Sequence, residues 1–188
     1  MSILSIHRSK GLEKPVVLMC GLSKQINRED LKRPVLFHSE LGVGPRGLDR
    51  ERMVEYTTLA RQAVARQLER EMMAEELRLL YVAMTRAREK LILSLALPEG
   101  AGALKRLGDS LPISPMALEQ QQSVGAWVLL HALTRPEGDA LRALAEISNV
   151  TPPRRSGPAW DIRWVDGTAL GEERKAEGHY TDRPEEAE

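Results

Sequence analysis

The sequence predicts an α/β fold, and three observations carry that prediction. Residues 15–20 and 91–97 are short, continuous apolar runs with the length and residue types of buried strands. Residues 57–86 contain neither Gly nor Pro, a span of helical character between the two runs. Within it and just beyond, Met73, Leu77, Leu80, Met84, Ala87 and Leu91 step by four and three, which is one helix face.

The elements follow in order. Ser2–Ile6 reads as a short strand that opens almost at the first residue, the mark of a fragment. His7–Glu13 is polar, holds Gly11 and reads as a loop or single turn. Pro15–Cys20 reads as a strand buried on both faces, with Cys20 as a small core residue. Residues 22–56 are expected to be irregular, punctuated by Pro34, Gly42, Gly44, Pro45 and Gly47, with a short strand at Val35–His38. Thr57 or Thr58 is the expected cap of the long helix, and an interruption is expected before Ala74, because a straight helix of that length is long for a small domain. Leu91–Leu97 reads as another buried strand, stopped by Pro98. Short helices are expected near Ala103–Leu107 and over Asp139–Ile147, and a longer one over Pro115–Leu133. Trp160–Val165 alternates as a half-buried strand does. From Gly171 the chain is charged and poor in apolar residues, a composition that favours disorder.

Composition excludes several classes. Hydrophobic residues make up 42% of the chain but aromatics only 4%, so the core must be aliphatic. Lys plus Arg and Asp plus Glu both number 27, so net charge points to no nucleic acid partner. One cysteine excludes an intrachain disulfide and a cysteine-rich metal site. No run approaches the length of a membrane span, and Ile3–Ile6 is too short for a signal peptide core; a cytoplasmic location follows as the expectation.

Two stretches carry candidate chemistry. The loop at His7–Glu13, with Ser5 before it, offers hydroxyls, an imidazole, two cations, a glycine and a carboxylate. Ser5, His7, Arg8, Ser9 and Lys10 suit phosphate oxygens, Gly11 permits close backbone approach, and Glu13 can accept hydrogen bonds from a ribose. The plain alternative is a solvated polar loop with a structural glycine. At the far end of the helix, Arg86 lies opposite Leu77 and Met84 on an ideal helix and so faces away from the core stripe. An arginine on such a rigid base can stabilise charge on a transferring phosphoryl group. The alternative is an ordinary surface arginine, paired with Glu89 or a nearby carboxylate. Arg78 reads either as part of an exposed turn with Glu75 and Glu76 or as a buried anchor to the first loop.

Taken together, Ser5-Ile6-His7-Arg8-Ser9-Lys10-Gly11-Leu12-Glu13-Lys14-Pro15-Val16-Val17 resembles motif V of the UvrD-type superfamily 1 helicases, and Glu75–Leu91 resembles their motif VI. The long segment between, with Leu36-Phe37-His38-Ser39-Glu40-Leu41-Gly42-Val43-Gly44-Pro45 and Tyr56-Thr57-Thr58-Leu59-Ala60, is similar to the AddA branch, the helicase–nuclease subunits of the AddAB complexes of double-strand-break repair. Ala126–Leu133 is similar to the helical segment after the motor there. The resemblance covers residues 1–135 well and 136–170 weakly.

That resemblance implies a partial RecA-like domain of the P-loop NTPase type: a small, mainly parallel sheet plus a helical appendage. Residues 1–98 would be the C-terminal half of the second motor domain, 99–150 the appendage, 151–170 a linker with a strand, and 171–188 a disordered tail. It implies that Arg86 reaches the γ-phosphate of ATP, that Gly11 and Glu13 belong to the nucleotide pocket, and that Ser5, His7 and, less directly, Lys10 contact single-stranded DNA. Arg78 is implied to be a structural or coupling residue. The implied partners are DNA and AddB. Two positions depart from the pattern: Ser5 stands where Thr is usual and keeps the hydroxyl, while Lys14 stands where an aromatic residue is usual. The sequence contains no Gly-x-x-x-x-Gly-Lys-Ser/Thr loop and no recognisable acidic strand end for Mg²⁺, which would be held by the first motor domain. Asp166 with Glu173 and Lys175 superficially matches a nuclease pattern, but no strand frames it. The isolated chain is therefore expected to be inactive and, with an open sheet edge, to self-associate. The other readings are a non-catalytic DNA- or partner-binding module and a free-standing regulatory protein.

Overall fold

The computed structural model describes residues 2–9, 11–148, 150 and 157–167. Two sheets share one long helix. The first holds β1 (Lys14–Met19) and β5 (Ala87–Leu93), paired in parallel; the second is an antiparallel meander of β2 (Val35–His38), β3 (Gly42–Asp49) and β4 (Val54–Thr57). The helix is α1 (Leu59–Met84). Among the described residues the shorter helices α2 (Ala101–Gly108), α3 (Pro115–Glu119), α4 (Val124–Thr134) and α5 (Asp139–Leu144) follow. The α/β class with a small parallel sheet and added helices is what the sequence predicts.

Thr58 is the cap of α1: its hydroxyl oxygen accepts from the Arg61 N–H at 3.1 Å and donates to the Pro45 carbonyl at 2.6 Å. The helix then runs unbroken, against the expected interruption at Ala74. Its 26 residues give a rod of about 39 Å, long enough for the meander to pack on the N-terminal half and β5 and α4 on the rest. The buried line differs from the expected stripe. Met73, Leu80 and Ala83 are buried, while Leu77 remains 40% exposed. Met19, Leu22 and Trp127 complete the first core cluster, and the half-buried Val17, Leu91 and Leu93 pack onto it.

Several expected elements take another form. Residues 2–6 form no strand; a 3₁₀ turn at His7–Ser9 follows instead, and among the described residues no strand pairs with the segment. β1 is covered on one face only. Val17 and Met19 point to α1, whereas Val16, Leu18 and Cys20 alternate to the bare side, so Cys20 is exposed rather than a core residue. β5 starts at Ala87, four residues before the expected Leu91, because α1 ends at Met84 and the chain turns at once into the ladder. The 115–133 helix is broken at 120–123. There Ser123 caps α4, and the loop bonds residues 22–26 through Ile26 N–H to Gln122 O and Gly125 N–H to Leu22 O, both 2.8 Å. Residues 160–165 find no strand partner among the described residues. Their alternation serves a helix surface instead, with Trp160 and Ile162 packed on a second cluster of Leu104, Leu129, Ala132, Leu133, Leu141 and Ala145.

The meander was hidden by its own glycines and proline. A Cβ on Gly44 would meet the Arg61 Cα at 2.8 Å, so only glycine lets β3 lie this close to α1. β3 pairs with β2 through residues 42–45 and with β4 through 46–49. Pro45 sits at that handover, where no second ladder needs its missing N–H. The linker residues 151–156 and the tail from Thr168 lie outside the described residues.

Candidate functional site

The entrance edge of the parallel sheet brings together three of the candidate residues, Gly11, Glu13 and Arg86. The first segment is a run of tight turns. The Ser9 N–H is shared between the Ser5 and Ile6 carbonyls, both at 3.1 Å, the Ser9 hydroxyl donates to Ile6 O at 2.7 Å, and the Leu12 N–H reaches Ser9 O at 3.0 Å. This winding leaves Ser5, His7 and Arg8 exposed on the outside of the turn. Gly11 has φ +80° with no atom within 4 Å of a built Cβ. The left-handed backbone, not crowding, selects glycine there. Lys10 lies outside the described residues.

The second segment is the C-terminal end of α1. The Lys14 N–H donates to the Arg86 carbonyl at 2.9 Å, and Lys14 pairs with Ala87 at the start of the ladder. Two residues on, Arg88 Nε lies 3.8 Å from Glu13 Oε2. The loop carrying Gly11 and Glu13 and the helix end carrying Arg86 are thus joined by one backbone bond and one ion pair. Both segments enter their strands rather than leave them. The polar loop expected to follow a 2–6 strand thus leads into β1 instead, and the site lies at the N-terminal edge of β1 and β5.

Arg86 itself is half-buried and anchored on its own helix. Its Nε–H donates to the Val82 carbonyl at 2.9 Å and one Nη2–H to the Thr85 hydroxyl at 3.2 Å. A guanidinium has five donors, so three N–H groups find no partner among the described residues, including both on Nη1. Arg78 stands eight residues back, exposed and paired with Glu75 on the same helix, so it is not a buried anchor to the first loop. Sequence reading missed Arg88 as the partner of Glu13. Only the strand register reveals it, since residues 13 and 88 are linked by no local spacing. Among the described residues no group of three or more His, Cys, Asp or Glu is placed to hold a metal ion, and of the nuclease-like pattern only Asp166 lies within them. No helix among these residues is long and apolar enough to cross a membrane.

Residues 1–97 match the UvrD-like helicase C-terminal domain family. The chain belongs to that family. Relatives named as ATP-dependent helicase/nuclease subunits of the AddA type extend the likeness. The protein of Heliobacterium modesticaldum is 41% identical over 152 residues, covering 77% of this chain and 11% of its own length. That of Clostridium novyi is 37% identical over 150 residues, covering 77% and 12%. That of Ruminiclostridium cellulolyticum is 34% identical over 188 residues, covering 96% and 15%. The UvrD-like chain thus spans 11–15% of the length of these curated relatives. The edge between Glu13 and Arg86 falls wholly inside the matched region.

Proposed function

We propose that this chain is the part of an AddA-type ATP-dependent DNA helicase–nuclease that carries one wall of the ATP cleft in a motor for double-strand-break repair and recombination. Residues 1–98 act as the C-terminal half of the second motor domain and 99–150 as its helical appendage. The observation that carries the reading is the joint at Lys14 and Arg86, where the loop with Gly11 and Glu13 and the arginine-bearing helix end share one edge. Arg86 presents unengaged N–H donors there, which fits the phosphate oxygens of ATP. Gly11 and Glu13 line the same edge, with the Glu13 carboxylate as acceptor for a ribose hydroxyl. Ser5, His7 and Lys10 hold a DNA strand by its phosphates, the sequence-independent grip a translocating motor needs. Bound ATP supplies the phosphoryl group that is hydrolysed; Mg²⁺ is assigned to the first motor domain, outside this chain. AddB is the partner in the complete enzyme. By itself the chain hydrolyses no ATP, because an arginine that stabilises developing charge does nothing without a bound nucleotide. It self-associates through its open sheet edges and bare faces, and a clean monomer in light scattering at high concentration counts against that.

The test is to join the chain to its upstream motor half and measure DNA-stimulated ATPase. Arg86→Ala is expected to lower kcat by about a thousandfold or more while nucleotide binding persists. Clear ATPase activity in the isolated chain overturns the reading.

A second reading, a non-catalytic DNA- or partner-binding module, draws on the outer face of the meander. Phe37 is 69% exposed and Tyr56 56%, with Val35, Val43 and Val54 exposed beside them. Association with DNA that weakens steeply as salt rises, in a joined motor without ATPase, would favour it.

A further inference from the structure

The end of α1 holds Arg86 in a manner that assigns a role to its neighbour. In the last turn the Arg86 N–H bonds the Ala83 carbonyl at 3.2 Å, and the Thr85 N–H bonds Tyr81 O at 3.0 Å. Among the described residues the Val82 carbonyl has no backbone donor, one of the orphan acceptors at every helix end. Two side chains converge on it: the Thr85 hydroxyl donates at 3.0 Å and the Arg86 Nε–H at 2.9 Å. The Thr85 oxygen in turn accepts from Arg86 Nη2 at 3.2 Å. Thr85, Val82 O and the Nε–Nη2 edge of Arg86 thus close a small ring of hydrogen bonds.

The ring fixes the plane of the guanidinium. One edge is tied down by two bonds, and the opposite edge, with Nη1, is turned away from them. A flexible arginine loses rotamer freedom whenever it binds an anion; one already held by its Nε edge has lost part of it beforehand. The hydroxyl is needed in both directions, as donor to Val82 O and acceptor from Nη2, so a methyl of the same shape serves in neither.

We propose that Thr85 is a positioning residue: it pre-orients Arg86 toward the phosphoryl group through the shared Val82 carbonyl. This rests on the reading of Arg86 as the arginine of an ATP cleft. Thr85→Val removes the hydroxyl while preserving side-chain volume, and Thr85→Ser restores it.

Two measurements test the proposal. In this chain, the Arg86 Nε–H is observed by ¹⁵N NMR. A slowly exchanging, downshifted signal is expected in the wild type and in Thr85→Ser, and fast exchange in Thr85→Val. In the complete motor protein with its partner, Thr85→Val is expected to lower kcat by about five- to tenfold, the factor for one lost hydrogen bond, with KM for ATP unchanged and kcat rescued by Thr85→Ser. Equal kcat in Thr85→Val and wild type, or equal losses in Thr85→Val and Thr85→Ser, overturns the proposal, as does an Nε–H signal indifferent to the hydroxyl. Arg86→Ala, measured alongside, separates the two levels. If it hydrolyses ATP normally, the ATP-cleft reading fails and the proposal with it. If it is inactive while Thr85→Val is normal, only the role of Thr85 falls.

Discussion

The two sheets meet the same helix by opposite means. The meander is tied to the N-terminal half of α1 by buried polar groups. Arg61, 5% exposed, donates from Nη1 to Pro34 O at 3.2 Å and from Nη2 to Leu31 O at 2.9 Å. The side chain of His38, 3% exposed, takes the Glu40 and Leu41 N–H groups on Nδ1, both at 3.1 Å, which places its proton on Nε2, directed at Glu71 2.9 Å away. The parallel sheet, by contrast, rests on α1 through apolar side chains, Val17, Met19, Leu91 and Leu93 among them, and its polar residues collect at an exposed edge. Buried polar bonds fix one orientation because an unmade bond there is expensive. An exposed edge leaves its donors and acceptors open to a ligand. One sheet is specified; the other is available.

The largest test of this contrast is Arg61→Ala. The carbonyls of the half-buried Leu31 and the exposed Pro34 lose their charged donor and the buried, packed stem of Arg61 disappears, so a loss of about 3 kcal/mol is expected in urea unfolding. A loss under about 1 kcal/mol would show that solvent replaces the anchor and that the meander is not held by it.

The same contrast explains what was legible in the sequence. The Glu75–Leu91 pattern revealed a helix running into a strand because both periods are local. Thr58 was legible as a cap for the same reason. The meander was not, because Gly44, Pro45 and Gly47 read as loop punctuation. Their purpose appears only when α1 lies against Gly44 and the Tyr56 ring across Gly47, where a Cβ would sit 2.3 Å from it. The double burial expected of Pro15–Cys20 failed for a related reason: an apolar run states that its side chains avoid water, not that both covering layers are present. At the candidate edge, glycine, carboxylate and arginine could be named from the motifs. Their joint, Lys14 to Arg86 and Glu13 to Arg88, depends on a parallel register between segments some seventy residues apart.

A smaller effect separates the sheets by pH. The His38 hydrogen bond first, and Gln67 second, hold the Glu71 carboxyl below the usual carboxylate range. A carboxylate with a depressed folded value adds stability that is present above its unfolded value and lost as pH falls through the folded one. Melting temperature should therefore drop on acidification below about 4.3 in the wild type, and part of that drop should be missing in Glu71→Gln. If the two proteins show identical profiles, the meander is not latched to α1 through this pair.

The smallest effect belongs to the edge itself. Arg88 and Glu13 are 3.8 Å apart, with side chains 69% and 61% exposed. Solvent screens such a pair, and holding two long side chains together opposes what Coulomb attraction remains. Arg88→Ala should then change unfolding free energy by less than about 0.5 kcal/mol. What it should change is local: with Glu13 released, amide exchange at Leu12 and Glu13 should quicken while β1 and β5 keep their protection. A loss well above about 1 kcal/mol would mean that the edge is built for stability, as the meander is. A small global loss with a faster loop means the opposite: the pair sets where Glu13 points, at little cost to the fold, which is how a carboxylate kept for a ligand has to be held.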